Sequence, residues 1–222
     1  MVVPSPSPSR PDAALPKPRR PLDAGAPADV GVPADVAGSE RVRQWYEDEL
    51  GWAATSGPDG ARLHTGLRFD VLEVPADAGF AMLRRLDPRS PVAVRGETMR
   101  LLLAAGSADE VPGLLDWLEW GALPLDLVTL GAGGSIDAPT PPGWTGSQEA
   151  AVWVRPPEPG REVEPVLPAL TTLTAVSTLP VVGGGGGAPD LVRLVDTAAT
   201  CCHRARLRRA SASPSAQPLA FS

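Results

Sequence analysis

Nine of the first 38 residues are proline, and almost none of the others is a large apolar residue. Ordering such a stretch would cost conformational entropy with nothing to bury in return. A run of five glycines, Gly183 to Gly187, breaks the chain again near its other end and reads as a flexible linker. Folded structure must therefore come chiefly from what lies between. The expected organisation is a disordered Pro-rich tail over 1–38, a folded domain over 39–182, a linker over 183–188, a helix over 189–210 and a disordered tail over 211–222. The terminal helix is predicted from Leu191, Leu194, Val195 and Ala198 at helical spacing. With 27 Pro and 23 Gly in 222 residues, the whole chain stays just short of the roughly 25–30% that marks wholesale disorder, which leaves room for one domain of ordinary size.

Pro165, Pro168 and Pro180 interrupt the longest apolar candidate, Val163 to Val182, so a membrane span of about 20 apolar residues is not expected. The opening Met-Val-Val-Pro-Ser-Pro lacks a charged region followed by an apolar stretch, so no secretory signal is visible and a cytoplasmic location is expected. Cys201, Cys202 and His203 offer three ligands where a structural zinc site uses four. Charge is uneven. Residues 1–38 balance four acids with four bases, residues 39–202 carry 22 acids against 12 bases, and residues 203–222 hold Arg204, Arg206, Arg208 and Arg209 with no acid. The acidic body is poorly suited to a phosphate backbone, whereas the Arg-rich end is the candidate nucleic-acid contact. The same arginines would also suit a solvated helix end whose cations complement the C-terminal dipole.

Hydrophobic periodicity fills in the body. Ser39 reads as the cap of a helix through Leu50, with Val42, Trp45 and Tyr46 on one face. Leu67 to Val74 reads as a strand, and Pro75 then opens a helix with Phe80, Leu83 and Leu86 inward. Val92–Val94 and Met99–Ala104 form a predicted strand pair across the turn Arg95-Gly96-Glu97. Val111, Leu114, Leu115 and Leu118 make a helical stripe flanked by Trp117 and Trp120, which are expected in the core or on a partner surface. Leu125–Leu130 reads as a strand, Gly131–Gly134 as a hairpin turn, Ser135–Ala138 as the hairpin partner, and Ala150–Val154 as a later strand. A proline-broken helix from about Val163 to Val176 closes the body. The fold class is α+β (mixed α/β), a mixed sheet flanked by helices. His64 is expected in a loop with no visible partner, and the glycine turn lacks the Lys-Ser/Thr of a phosphate loop.

Three stretches in order resemble the bifunctional DNA primase/polymerase N-terminal (prim-pol) domain of the archaeo-eukaryotic primase superfamily. Gly66-Leu-Arg-Phe-Asp-Val-Leu-Glu-Val-Pro-Ala-Asp-Ala-Gly79 resembles its strand ending in an acid-x-acid pair and followed by a helix. Arg95-Gly-Glu-Thr-Met-Arg-Leu-Leu-Leu103 is similar to the strand on which the family keeps a histidine. Leu123-Pro-Leu-Asp-Leu-Val-Thr-Leu-Gly-Ala-Gly-Gly-Ser-Ile-Asp-Ala-Pro-Thr-Pro-Pro142 resembles its third acid, glycine hairpin and Ala-Pro-Pro segment. Trp153-Val-Arg-Pro-Pro157 is similar to the strand that follows, so the likeness covers about 39–176.

The resemblance implies a mixed sheet carrying nucleotidyl transfer by two divalent metals, Mg²⁺ or Mn²⁺, about 3.5–4 Å apart. Such ions need several carboxylate oxygens presented from one side, and residues i and i+2 of a strand point the same way. Glu73 matches the first acid and Asp126 the third, which makes them the candidate catalytic and metal-binding pair. The second acid is replaced by Pro75, which has no ligand atom. Asp70, three residues before Glu73, falls on the opposite face of a regular strand. Arg100 holds the histidine position, where its planar fork could bind a nucleotide triphosphate or join an ion pair. The bland alternatives are a solvated strand end at Glu73, a turn cap at Asp126 and a surface charge at Arg100.

The resulting expectation is a degenerate prim-pol domain that uses no metal and serves as a binding or assembly module in DNA replication. One rival is an active Mg²⁺- or Mn²⁺-dependent primase/polymerase, a nucleotidyltransferase. Another is a protein-interaction module docking through the Trp117/Trp120 helix or the proline tail. The partners implied are DNA or a nucleotide, or a protein, and no membrane.

Overall fold

The computed structural model describes residues 34–147, 149–170 and 190–212. Residues 1–33, the glycine run 183–187, the predicted helical residues 171–176 and residues 213–222 lie outside that range.

Helix α1 (Ala34–Leu50) starts five residues before the expected cap. Ser39 lies within the helix, where its Oγ accepts the Gly57 N–H at 3.2 Å instead of capping. On its outer side Arg43 donates from Nε to Glu40 at 3.0 Å and also pairs with Glu47, the i,i+3 and i,i+4 spacings that support a helix in water. The other side buries Tyr46, with Val42 and Trp45 packed beside it.

Two short strands follow, β1 (Ala54–Gly57) and β2 (Gly60–His64), paired across the Pro58-Asp59 turn. His64 is the last residue of β2 and not a loop residue. Then come β3 (Phe69–Pro75), α2 (Ala76–Met82), β4 (Val92–Arg95), β5 (Thr98–Ala104) and α3 (Val111–Trp117). The expected β4–β5 hairpin closes at Arg95↔Thr98. Pro75 does open α2, whose inward residues are Ala78, Gly79 and Met82; Phe80 faces water, while Leu83 and Leu86, past the end of the helix, pack partly buried against the core as expected. The chain continues through β6 (Val128–Leu130), β7 (Ser135–Asp137), β8 (Val152–Arg155) and α4 (Leu191–Ala212). In place of the closing helix, only a 3₁₀ turn at Glu164–Val166 is described.

The strands sort into two antiparallel sheets, giving an α+β fold. The larger has the order β6-β3-β5-β4-β8 and the smaller β1-β2-β7. β6 and β7, read from the sequence as one hairpin, do not pair: β6 joins β3 and β7 joins β2. The Gly131–Gly134 segment is therefore a crossover between sheets. It is held against the chain before β3, where Thr65 Oγ1 donates to the Gly131 carbonyl at 2.5 Å and Thr65 N–H to the Gly134 carbonyl at 3.0 Å. Gly66, at φ +85°, lies so close to the Ala132 backbone that a Cβ would overlap it.

Alternation along β3 and β5 divides the core in two. Leu72, Val74, Met99, Leu101 and Leu103 face the helical side, where α4 contributes Leu191, Leu194, Val195, Ala198, Ala199, Cys201, Cys202 and Ala205. Each Leu or Val so buried contributes on the order of 2 kcal/mol, which makes α4 part of the core and not an appendage. Burial also pushes the Cys202 thiol up to about 12, so it packs as a neutral side chain. Phe69, Val71 and Leu102 face the other side, against Tyr46, Trp52, Leu63, Ile136 and Leu167. There Trp153 donates from Nε1 to Tyr46 Oη at 2.9 Å, and Tyr46 Oη donates to the Pro139 carbonyl at 2.7 Å.

Candidate functional site

Residues directly opposed in an antiparallel ladder project from the same face. Glu73 of β3 is opposed to Arg100 of β5 on one flank and to Val128 of β6 on the other, and Arg100 is opposed in turn to Ala93 of β4. This row continues the face that carries Val71 and Leu102, one step past the apolar core. Arg100 Nε donates to Glu73 Oε1 at 2.7 Å. Its terminal nitrogens reach Asp137 Oδ2 at 3.4–3.5 Å. Arg100 is 9% exposed, so this is a nearly desolvated guanidinium between two carboxylates.

Asp137 of β7 gathers two more arginines. Arg62, opposite it on β2, donates to Oδ1 at 3.0 Å, and Arg95 of β4 pairs with Oδ2. Burial works against the Asp137 carboxylate, but Arg95, Arg100 and Arg62 together outweigh it and hold the group below the usual carboxylate range. The cluster thus ties the two sheets together by charge. The sequence reading did not single out Asp137. Its partners come from three different strands, and only the register brings them together.

Asp126 was expected on a strand beside β3. The ladder instead stops at Val128, and Asp126 sits two residues earlier with its backbone in the left-handed region at φ 52°. Its carboxylate accepts from Arg209 Nη2 at 3.3 Å, and Arg206 Nη1 lies 3.7 Å from it. Two of the four terminal arginines are thus paired with the acid proposed as a metal ligand. Arg204 and Arg208 make no side-chain hydrogen bond or ion pair among the described residues.

Asp70 lies on the opposite face of β3 from Glu73, as the spacing of three requires, and is fully buried. Its Oδ2 accepts the Ala108 N–H at 2.8 Å, which fixes the 3₁₀ turn Ser107–Asp109. Burial raises its carboxyl above the usual range. It cannot join Glu73 around one ion.

Glu73 and Asp126 do border one cleft, of about 610 Å³, together with Pro75, Asp77, Glu97 and Arg209. A second cavity of about 430 Å³ is bordered by Glu73, Arg95, Arg100 and Glu149. Among the described residues no three His, Cys, Asp or Glu side chains converge on a point that could hold a metal ion. A two-metal centre does not fit this donor set as folded: Pro75 supplies no oxygen, Glu73 is engaged by Arg100, and Asp126 by α4.

The two tryptophans part company. Trp120 donates from Nε1 to Asp196 Oδ1 of α4 at 3.1 Å and packs against His203, whereas Trp117 is 72% exposed. None of the described helices is long and apolar enough to cross a membrane. No protein-family model, curated protein or solved structure matches the chain.

Proposed function

We propose that this chain carries a prim-pol-like domain that has exchanged metal ligation for ion pairing and works in the cytoplasm as a binding or assembly module linked to DNA replication. The Arg100–Glu73 pair carries the reading. A carboxylate bonded at 2.7 Å to an almost buried guanidinium has a permanent counter-charge, so a divalent cation would have to displace it. Pro75 occupies the position of the neighbouring acid, and Asp126 is engaged by Arg206 and Arg209. In this reading nucleic acid is contacted by the arginines of α4, Arg204, Arg206, Arg208 and Arg209, since they concentrate positive charge on an otherwise acidic chain. The exposed Trp117 is a candidate contact for a protein partner.

The test is primer synthesis and extension by the full chain with Mg²⁺ and with Mn²⁺. The expected result is no incorporation with either ion. A second reading, an active Mg²⁺- or Mn²⁺-dependent primase/polymerase, is favoured by the cleft that Glu73 and Asp126 share. Incorporation that disappears in both Glu73→Gln and Asp126→Asn would establish it and overturn the first.

A further inference from the structure

The last two turns of α4 divide their arginines by face. Arg206 and Arg209 stand four residues after the buried Cys202 and Ala205, so they prolong the stripe that packs on the body, and they meet Asp126 there. Arg204 and Arg208, four residues apart, share a different face with no side-chain partner among the described residues. Leu207 beside them is exposed. Four cations within six residues are thus split into a restrained pair and an available pair, and Asp126 is the acid that both members of the restrained pair meet.

We infer that Asp126 is an internal competitor for an anionic strand: it occupies Arg206 and Arg209 and so sets how many cations α4 presents to single-stranded DNA. The inference rests on the reading that α4 contacts nucleic acid and adds its regulation. Three observations carry it. The Arg206 and Arg209 pairs with Asp126 lie at 3.7 and 3.3 Å with both partners about half exposed. Exposed pairs of that kind are weak and screened by salt, so a polyanion can displace the carboxylate. The helix end opposes the acidic body in charge: residues 203–222 hold four arginines and no acid. Guanidinium forks also suit phosphate oxygens, and side chains four apart on a helix lie about 6 Å from one another, a spacing that suits successive groups of a flexible strand.

Asp126→Asn tests this. Asparagine tolerates the left-handed backbone at this position, so the substitution removes charge while keeping the local shape. Binding of the full chain to labelled oligo(dT) is measured over a salt series for wild type, Asp126→Asn, Arg206→Gln/Arg209→Gln and the triple variant. The expected result is that Asp126→Asn binds about fivefold tighter at low salt. Its plot of log K against log salt should steepen by up to about 1.4, the limit in which two more phosphates are neutralised at about 0.7 each. Arg206→Gln/Arg209→Gln should weaken binding less in the wild-type background, where Asp126 competes for both arginines, than in the Asp126→Asn background, where it should abolish the whole gain. Equal slopes for wild type and Asp126→Asn, with both bound, would overturn the inference and leave α4 a nucleic-acid contact. No binding by any variant would overturn that reading as well. Binding to poly-glutamate but not to oligo(dT) would replace the strand with an acidic peptide.

Discussion

Arg100 stands directly across the ladder from Glu73 and holds its carboxylate at 2.7 Å while its terminal nitrogens reach across to Asp137 on the other sheet. Removing the arginine strips Glu73 of its counter-charge and takes one of three guanidinium groups from Asp137 in a poorly hydrated place. Arg100→Ala should therefore cost about 3 kcal/mol in urea unfolding. Glu73→Gln, which leaves Arg100 bonded to Asp137, should cost about 1 kcal/mol. Equal losses would mean that the two acids do not share the guanidinium.

Asp137 gives the fold a defined response to acid. Its carboxyl is held below the ordinary value of 3.8 by Arg95, Arg100 and Arg62, so the unfolded chain binds a proton more readily than the folded one. That contribution is complete above about pH 4–5 and is lost as pH falls through the lowered folded value. Asp137→Asn should lower stability at neutral pH by about 2 kcal/mol. It should also flatten the loss of stability below pH 4, as read by thermal melts across the acid range.

Two glycines with positive φ separate backbone strain from crowding. Gly133, at φ +77°, has open space where a Cβ would go, whereas Gly66 abuts Ala132. Gly133→Ala should cost about 1 kcal/mol from the left-handed backbone alone. Gly66→Ala should cost about 3 kcal/mol, because overpacking adds roughly 2 kcal/mol. Denaturant midpoints of the two variants check the ratio.

Helix α3 ends with Glu119 in the left-handed region at φ 64°. The Glu119 N–H bonds to the Asp116 carbonyl and the Trp120 N–H to the Leu115 carbonyl, the pattern that favours glycine. Glu119→Gly should raise stability by about 0.5–1 kcal/mol, seen as an increase in Tm with the helical circular dichroism retained.

What could be read from the chain follows from how local each signal is. β3 showed itself through Phe69, Val71, Leu72 and Val74, the β4–β5 hairpin through its Arg-Gly-Glu turn, and α4 through its apolar stripe, since each pattern is complete within its own segment. β1 and β2 escaped because Ala-Thr-Ser-Gly and Gly-Ala-Arg-Leu-His carry few β-formers, although Pro58-Asp59-Gly60 between them was a readable turn signal. The false hairpin at Gly131–Gly134 has the same root: nearness in sequence suggested pairing, while the partners of Ser135–Asp137 lie more than seventy residues earlier in β2. At the site, the opposite facing of Asp70 and Glu73 followed from spacing alone. The pairing of Asp126 with Arg206 and Arg209 depends on how α4 lies against the loop before β6, which no local pattern encodes.

The place of α4 in the core has a consequence for synthesis. The apolar side of β3 and β5 emerges early, yet eight of the residues that cover it lie between Leu191 and Ala205. A nascent or truncated product that stops in the glycine run would display that surface uncovered. Completion of this domain is therefore timed by its C-terminal end, and products ending before residue 190 should aggregate or be degraded.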